Sequence, residues 1–95
     1  MPGKLEGQVV SISENGAAIT DIVLERLNGI PTDDSVSVSC EGHTTYRLFS
    51  AEDEQAEMTF VAVQGTSGFL ELRLVGDSVQ AFLGIGPGSS VSVKW

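Results

Sequence analysis

Cys40 and His43 are the only cysteine and the only histidine in the sequence, and they stand three positions apart. A thiol within hydrogen-bond reach of an imidazole is an activated nucleophile. A zinc site draws on the same residue types but needs about three or four ligands, and only these two lie close in sequence. His43 follows Glu41-Gly42, which reads as a turn, so the imidazole is expected at the surface of a hairpin. Cys40 continues the inward phase of Val36 and Val38 and is expected to act as a small buried hydrophobe. A strand running straight on through this stretch would also send the two side chains to opposite faces.

Three further stretches carry chemistry-bearing types. Glu52-Asp53-Glu54 up to Glu57 clusters carboxylates, which hard cations prefer, yet it lacks the alternating ligands and central glycine of an EF-hand loop. It reads as a solvated loop. Gly84-Ile85-Gly86-Pro87-Gly88 is glycine-rich, but no Lys-Ser/Thr follows it as in a nucleotide loop, and it reads as a turn into the last strand. Gly65-Thr66-Ser67-Gly68 is more open. Two hydroxyls between glycines offer oxygens and accessible amides that could hold a carboxylate or a ribose, and the same residues also make an ordinary hairpin turn.

The elements that must position these groups are strands. Val36, Val38 and Cys40, then Leu70, Leu72 and Leu74, then Val91, Val93 and Trp95 alternate with polar residues, which is the period of a half-buried strand. Residues 7–13 lead into Asn15-Gly16, a strong hairpin signal, and 17–23 form the returning strand. Further strands are expected over 44–49, 56–64 and 69–74. Helical structure is limited to two short turns. One spans 24–27, before the Asn28-Gly29 stop, and the other spans 79–83, capped by Asp77 or Ser78 and ended by Gly84. About seven short strands with Gly, Asn and Pro turns predict an all-β fold, a small antiparallel β-barrel or Greek-key barrel, as one domain over 1–95.

Composition narrows the function classes. Hydrophobic residues at 41% argue against disorder along the whole length. Five Lys/Arg against 13 Asp/Glu give a net charge of −8, and the five cations are scattered, so nucleic acid and anionic membranes are poor partners. A single cysteine excludes an intrachain disulfide and fits a reducing compartment. No apolar run approaches a signal peptide or a membrane span. The expected location is the cytoplasm.

The order and spacing of these segments resemble a known family. Gly68-Phe-Leu-Glu-Leu-Arg-Leu followed by Ala81-Phe-Leu-Gly-Ile-Gly-Pro-Gly-Ser-Ser-Val-Ser-Val resembles the end of the S-adenosylmethionine hydroxide adenosyltransferase and halogenase family, where an Asn-Ser-x-Gly turn leads into a Leu-Glu-Ile-Ala strand. Gly7-Gln-Val-Val-Ser-Ile-Ser-Glu-Asn-Gly-Ala-Ala-Ile-Thr-Asp-Ile follows the family pattern G-x-V-V-x-I-D-x-F-G-N-x-x-T-N-I without a gap. The resemblance extends over nearly all 95 residues, but only to the family's C-terminal β domain.

By resemblance, Phe49, Thr66 and Ser67 are the candidate ligand-binding residues, with S-adenosylmethionine or adenosine as the ligand. The partner would be further copies in a trimer or a separate α/β domain. The departures that matter for a ligand are these. The family's ribose-holding Asp falls on Ser13, its Phe on Asn15, its adenine-contacting Asn on Ala17 and its turn Asn on Gly65. Gly16, Thr20, Thr66, Ser67 and Gly68 are kept or conservatively replaced. Losing a carboxylate and two amides removes the groups that would orient a nucleoside. The resemblance therefore implies a non-catalytic module with no catalytic residues, no metal and no obligatory cofactor. The alternatives are a weak nucleoside binder and the C-terminal half of a split hydrolase.

Overall fold

A computed structural model of the protein describes residues 3–14, 16–50, 55–65 and 67–95. Eight strands follow one another: β1 Lys4–Ile12, β2 Ala18–Val23, β3 Ser37–Cys40, β4 His43–Tyr46, β5 Phe49–Ser50, β6 Phe60–Gln64, β7 Phe69–Leu74 and β8 Ser90–Lys94. A 3₁₀ turn at Leu24–Leu27 and a helix, α1, at Val79–Leu83 complete the set. All strands belong to one sheet in the order β4-β3-β8-β1-β2-β7-β6-β5.

The expectation of an all-β, barrel-like fold holds, with three corrections. The expected strand over 44–49 is two strands. Arg47 adopts a φ of 80°, its N–H donates to the Val36 carbonyl and the Leu48 N–H donates to that of Thr32. The backbone therefore leaves the β3 ladder and restarts as β5. Second, β5 pairs with β6 in parallel, Phe49 against Val63 and Ser50 against Gln64, so the sheet is mixed. The strand expected from residue 56 begins only at Phe60, because Met58 turns the backbone with a φ of 65°.

Connectivity explains the curl. β4 and β5 are the two edges of the sheet, yet only Arg47 and Leu48 separate them in sequence. Three Cα steps reach at most about 11 Å, so the edges must approach each other and the sheet must bend round its interior. His43 of β4 and Phe60 of β6 meet across this seam edge to face, with ring centroids 6.3 Å apart. Among the described residues the ladder order is open between β4 and β5, a barrel-like curl with its edges apposed.

The interior collects the inward phase of each strand. Leu70, Leu72 and Leu74 of β7, Val38 and Cys40 of β3, and Val91 and Val93 of β8 are buried in one cluster with Ile22 and Val36. The 3₁₀ turn contributes Leu27, and α1 and the loop after it contribute Val79 and Ile85. Ser78 caps α1 by accepting the Ala81 N–H, and Gly84 ends it in the left-handed conformation, as the sequence signals require.

The one fully buried threonine among the described residues is satisfied. Thr20 donates its hydroxyl to the Leu70 carbonyl at 2.7 Å and accepts the Ile22 N–H at 3.2 Å, where the β2–β7 register shifts. Among the described residues no helix is long and apolar enough to cross a membrane.

Candidate functional site

The β6–β7 hairpin and the short edge strand β5 build one end of the sheet. Pairing of Ser50 with Gln64 places β5 beside the loop that begins at Gly65. Cross-strand partners share a face, so Phe49, Val63 and Glu71 form a row on the outer face. The Arg47 guanidinium lies over the Phe49 ring, 5.7 Å from its centroid, within cation–π range. Ser67 donates to the Glu71 carboxylate at 2.8 Å and accepts the Phe69 N–H at 3.4 Å. A side chain on Gly65 would overlap that same carboxylate. Phe49 and Ser67 therefore reach one end of the sheet. Thr66 lies outside the described residues, as do Asn15 and the acidic stretch Glu52-Asp53-Glu54.

Sequence reasoning missed Glu71 and Arg47. Glu71 reads as one polar residue in the alternation of β7, and only the pairing with Val63 brings it to the loop. Arg47 stands between the strands with a left-handed φ of 80°, so no strand alternation signals its place over Phe49. The Ser67 hydroxyl has its donor and one acceptor site engaged inside the loop, so Phe49 with its guanidinium is the group at this end with a stacking surface to offer.

The opposite end holds a shallow cleft of about 300 Å³ lined by Ala17, Arg73, Leu74, Gly76 and Asp77. Beside it the β1–β2 turn is closed by the Ser13 N–H donating to the Ala17 carbonyl at 2.8 Å and the Gly16 N–H donating to the Ser13 carbonyl at 2.9 Å, and the Ser13 hydroxyl accepts the Ala17 N–H at 3.1 Å. Register sets Phe49 level with Glu71 and Ala18 level with Leu72, so Phe49 and the β1–β2 turn are separated mainly across the sheet, by the three strand spacings from β5 to β2, about 14 Å.

The Cys40–His43 pair differs from its expected arrangement. The two-residue turn Glu41-Gly42 has positive φ at both positions, 51° and 82°, the primed geometry that suits a hairpin. Cys40 and His43 are consequently direct cross-strand partners and share a face instead of opposing each other. His43 is a half-buried strand residue packed on Phe60 rather than an exposed turn residue.

The thiol is nonetheless unsuited to nucleophilic work. It is buried, and desolvation, with a smaller contribution from the Glu41 charge, raises it from 9.0 to about 11. Among the described residues no three His, Cys, Asp or Glu side chains converge as metal ligands would.

The raised thiol has a measurable consequence. Its folded pKa exceeds the unfolded one, so the folded state retains this proton where the unfolded state loses it. The contribution to stability is complete below pH 9.0 and is lost as the pH rises through about 11. The urea midpoint of the native sequence, measured relative to that of Cys40→Val, is expected to fall across this window. The native thiol should also resist alkylation at neutral pH and react once the protein is unfolded. A midpoint difference flat with pH, or equal alkylation in both states, would contradict the assignment.

No family model and no curated protein matches this sequence. Solved structures do. A conserved hypothetical protein from Thermus thermophilus superposes with a TM-score of 0.68 at 24% identity, covering 93% of this chain and 34% of that one. An uncharacterized conserved protein from Thermotoga maritima gives a TM-score of 0.71 at 19% identity, with the same two coverages. The chain thus spans about a third of the length of each, and at these identities the likeness is one of fold.

Proposed function

We propose that this protein is a non-catalytic β-barrel-like module, resembling the C-terminal domain of S-adenosylmethionine hydroxide adenosyltransferases, that serves protein–protein interaction or oligomerisation in the cytoplasm. The observation that carries the reading is the fit of 93% of the chain onto about a third of two larger proteins. A unit of this architecture works there beside further polypeptide. Large apolar side chains at Val10, Tyr46, Met58 and Phe82 face solvent and are surfaces that a second copy or a separate α/β domain would cover. The buried, proton-holding Cys40 is itself a poor nucleophile. Charge of −8 disfavours nucleic acid and anionic membranes as the partner.

The test has two arms. Sedimentation of the purified protein over a concentration series is expected to show self-association, a trimer by resemblance, and a pull-down from the native organism is expected to recover a protein partner if it is monomeric. Incubation with S-adenosylmethionine is expected to release no adenosine above the buffer rate. A monomer that captures nothing, or adenosine release by the isolated protein, overturns the proposal.

A second reading rests on the Arg47–Phe49 stack at the end of the sheet that carries Ser67, namely weak binding of adenosine or S-adenosylmethionine, with Thr66 added by resemblance alone. Calorimetry separates it from the first. Absence of heat at millimolar ligand, an affinity of only about −4 kcal/mol, removes it. A remaining alternative is the C-terminal half of a split hydrolase, completed by a separate α/β domain.

A further inference from the structure

Asparagine occurs twice in the sequence, at Asn15 and Asn28, and each time glycine follows. We infer that Asn28 is a site of spontaneous covalent modification, losing its side-chain amide through Gly29, and that the second Asn-Gly dipeptide reacts more slowly because the fold restrains the nitrogen of Gly16. The chemistry needs no co-reactant beyond water. The Gly29 backbone nitrogen gives up its proton and attacks Cγ of Asn28. The bond from Cγ to the amide nitrogen breaks, and ammonia leaves carrying a proton, which closes a five-membered imide. Water then opens either imide C–N bond, giving aspartate or its isopeptide-linked isomer. One water enters, one ammonia leaves, and nothing is oxidised or reduced.

The reacting atom is the backbone nitrogen of the glycine, and the two glycines differ there. Asn28 with φ −62° and ψ 129° and Gly29 with φ 83° form a type II turn closed by the Ile30 N–H donating to the Leu27 carbonyl at 3.1 Å. Both residues are exposed. Among the described residues nothing accepts the Gly29 N–H, and no atom lies within 4 Å of a methyl placed on Gly29. The peptide can therefore swing into the attacking geometry by opening one hydrogen bond.

Gly16 is buried. Its N–H donates to the Ser13 carbonyl at 2.9 Å, its carbonyl accepts the Val79 N–H at 3.1 Å, and a methyl there would lie 2.7 Å from Ser78 Cα. Attack by this nitrogen requires breaking a bond and displacing the start of α1.

Trypsin separates the two sites, because cleavage after Lys4, Arg26 and Arg47 gives fragments 5–26 and 27–47 with one asparagine each. The full-length protein is held at mildly alkaline pH and about 37 °C, and both fragments are followed by mass and by chromatographic separation of the aspartyl and isoaspartyl forms. In native protein, conversion of 27–47 is expected to outpace that of 5–26 by about tenfold, the ratio that one net backbone hydrogen bond sustains. In concentrated urea the two rates should converge. Equal native rates, faster loss in 5–26, or a rate difference that persists in urea overturns the inference, since the last outcome would assign the difference to the flanking sequence.

Discussion

Gly16→Ala is expected to destabilise the folded protein by about 2–4 kcal/mol, a large share of what a small domain has. Two independent costs combine at this position. The backbone stands at φ 85°, where an L side chain pays about 1–2 kcal/mol. The added methyl would also lie 2.7 Å from the Cα of Ser78 and 3.0 Å from its Cβ. A backbone atom cannot step aside as the far end of a flexible side chain does, so relief requires moving the start of α1, and with it the Val79 N–H that bonds to the Gly16 carbonyl. Gly29→Ala supplies the comparison. Its φ of 83° is nearly the same, but it has open space around it, so it should cost only the conformational part, about 1 kcal/mol. Urea titrations of both variants, read as midpoint shifts at constant slope, separate crowding from backbone strain. Equal losses for the two would mean that α1 does not lean on the β1–β2 turn.

That contact illustrates where sequence reading stops. Asn15-Gly16 marks a turn because few residues tolerate positive φ, a property of the residue itself. That Gly16 also abuts Ser78 depends on a helix start far along the sequence, and no local pattern encodes it. The same division runs through the molecule. The alternation of β3, β7 and β8 and both helical turns are legible because each depends on spacing or on a cap. The break at Arg47 is not, since arginine has no preference for φ 80°. Long-range bonds to the Val36 and Thr32 carbonyls impose it. The parallel β5 is the consequence of that break. At the candidate site, Phe49 and Ser67 were visible as residue types, whereas Glu71 joined them through strand register and Arg47 through the break in the backbone. Cys40 keeps its expected inward place, and His43 shares its face because a two-residue hairpin reverses the backbone, a property of turn length rather than of either residue.

Register also identifies the most sensitive core position. Leu72 pairs with Ala62 on β6 and with Ala18 on β2, and all three are fully buried. In Leu72→Ala three alanines would stand abreast, and the nearest large side chain in the row, Ile12, lies a strand further on as the partner of Ala18. The loss is expected near the upper part of the usual range, about 4 kcal/mol. Leu74→Ala is the internal comparison. Leu74 is already slightly exposed and pairs with the half-buried Phe60, whose ring can take up part of the volume, so its cost is expected to be about 2–3 kcal/mol. Should Leu72→Ala fail to fold, Leu72→Val keeps the comparison open at about 1 kcal/mol. A Leu72→Ala loss no greater than that of Leu74→Ala would show that the curled sheet can draw its walls together at this level. The seam between β4 and β5, which carries no ladder among the described residues, is where such a contraction would have to begin.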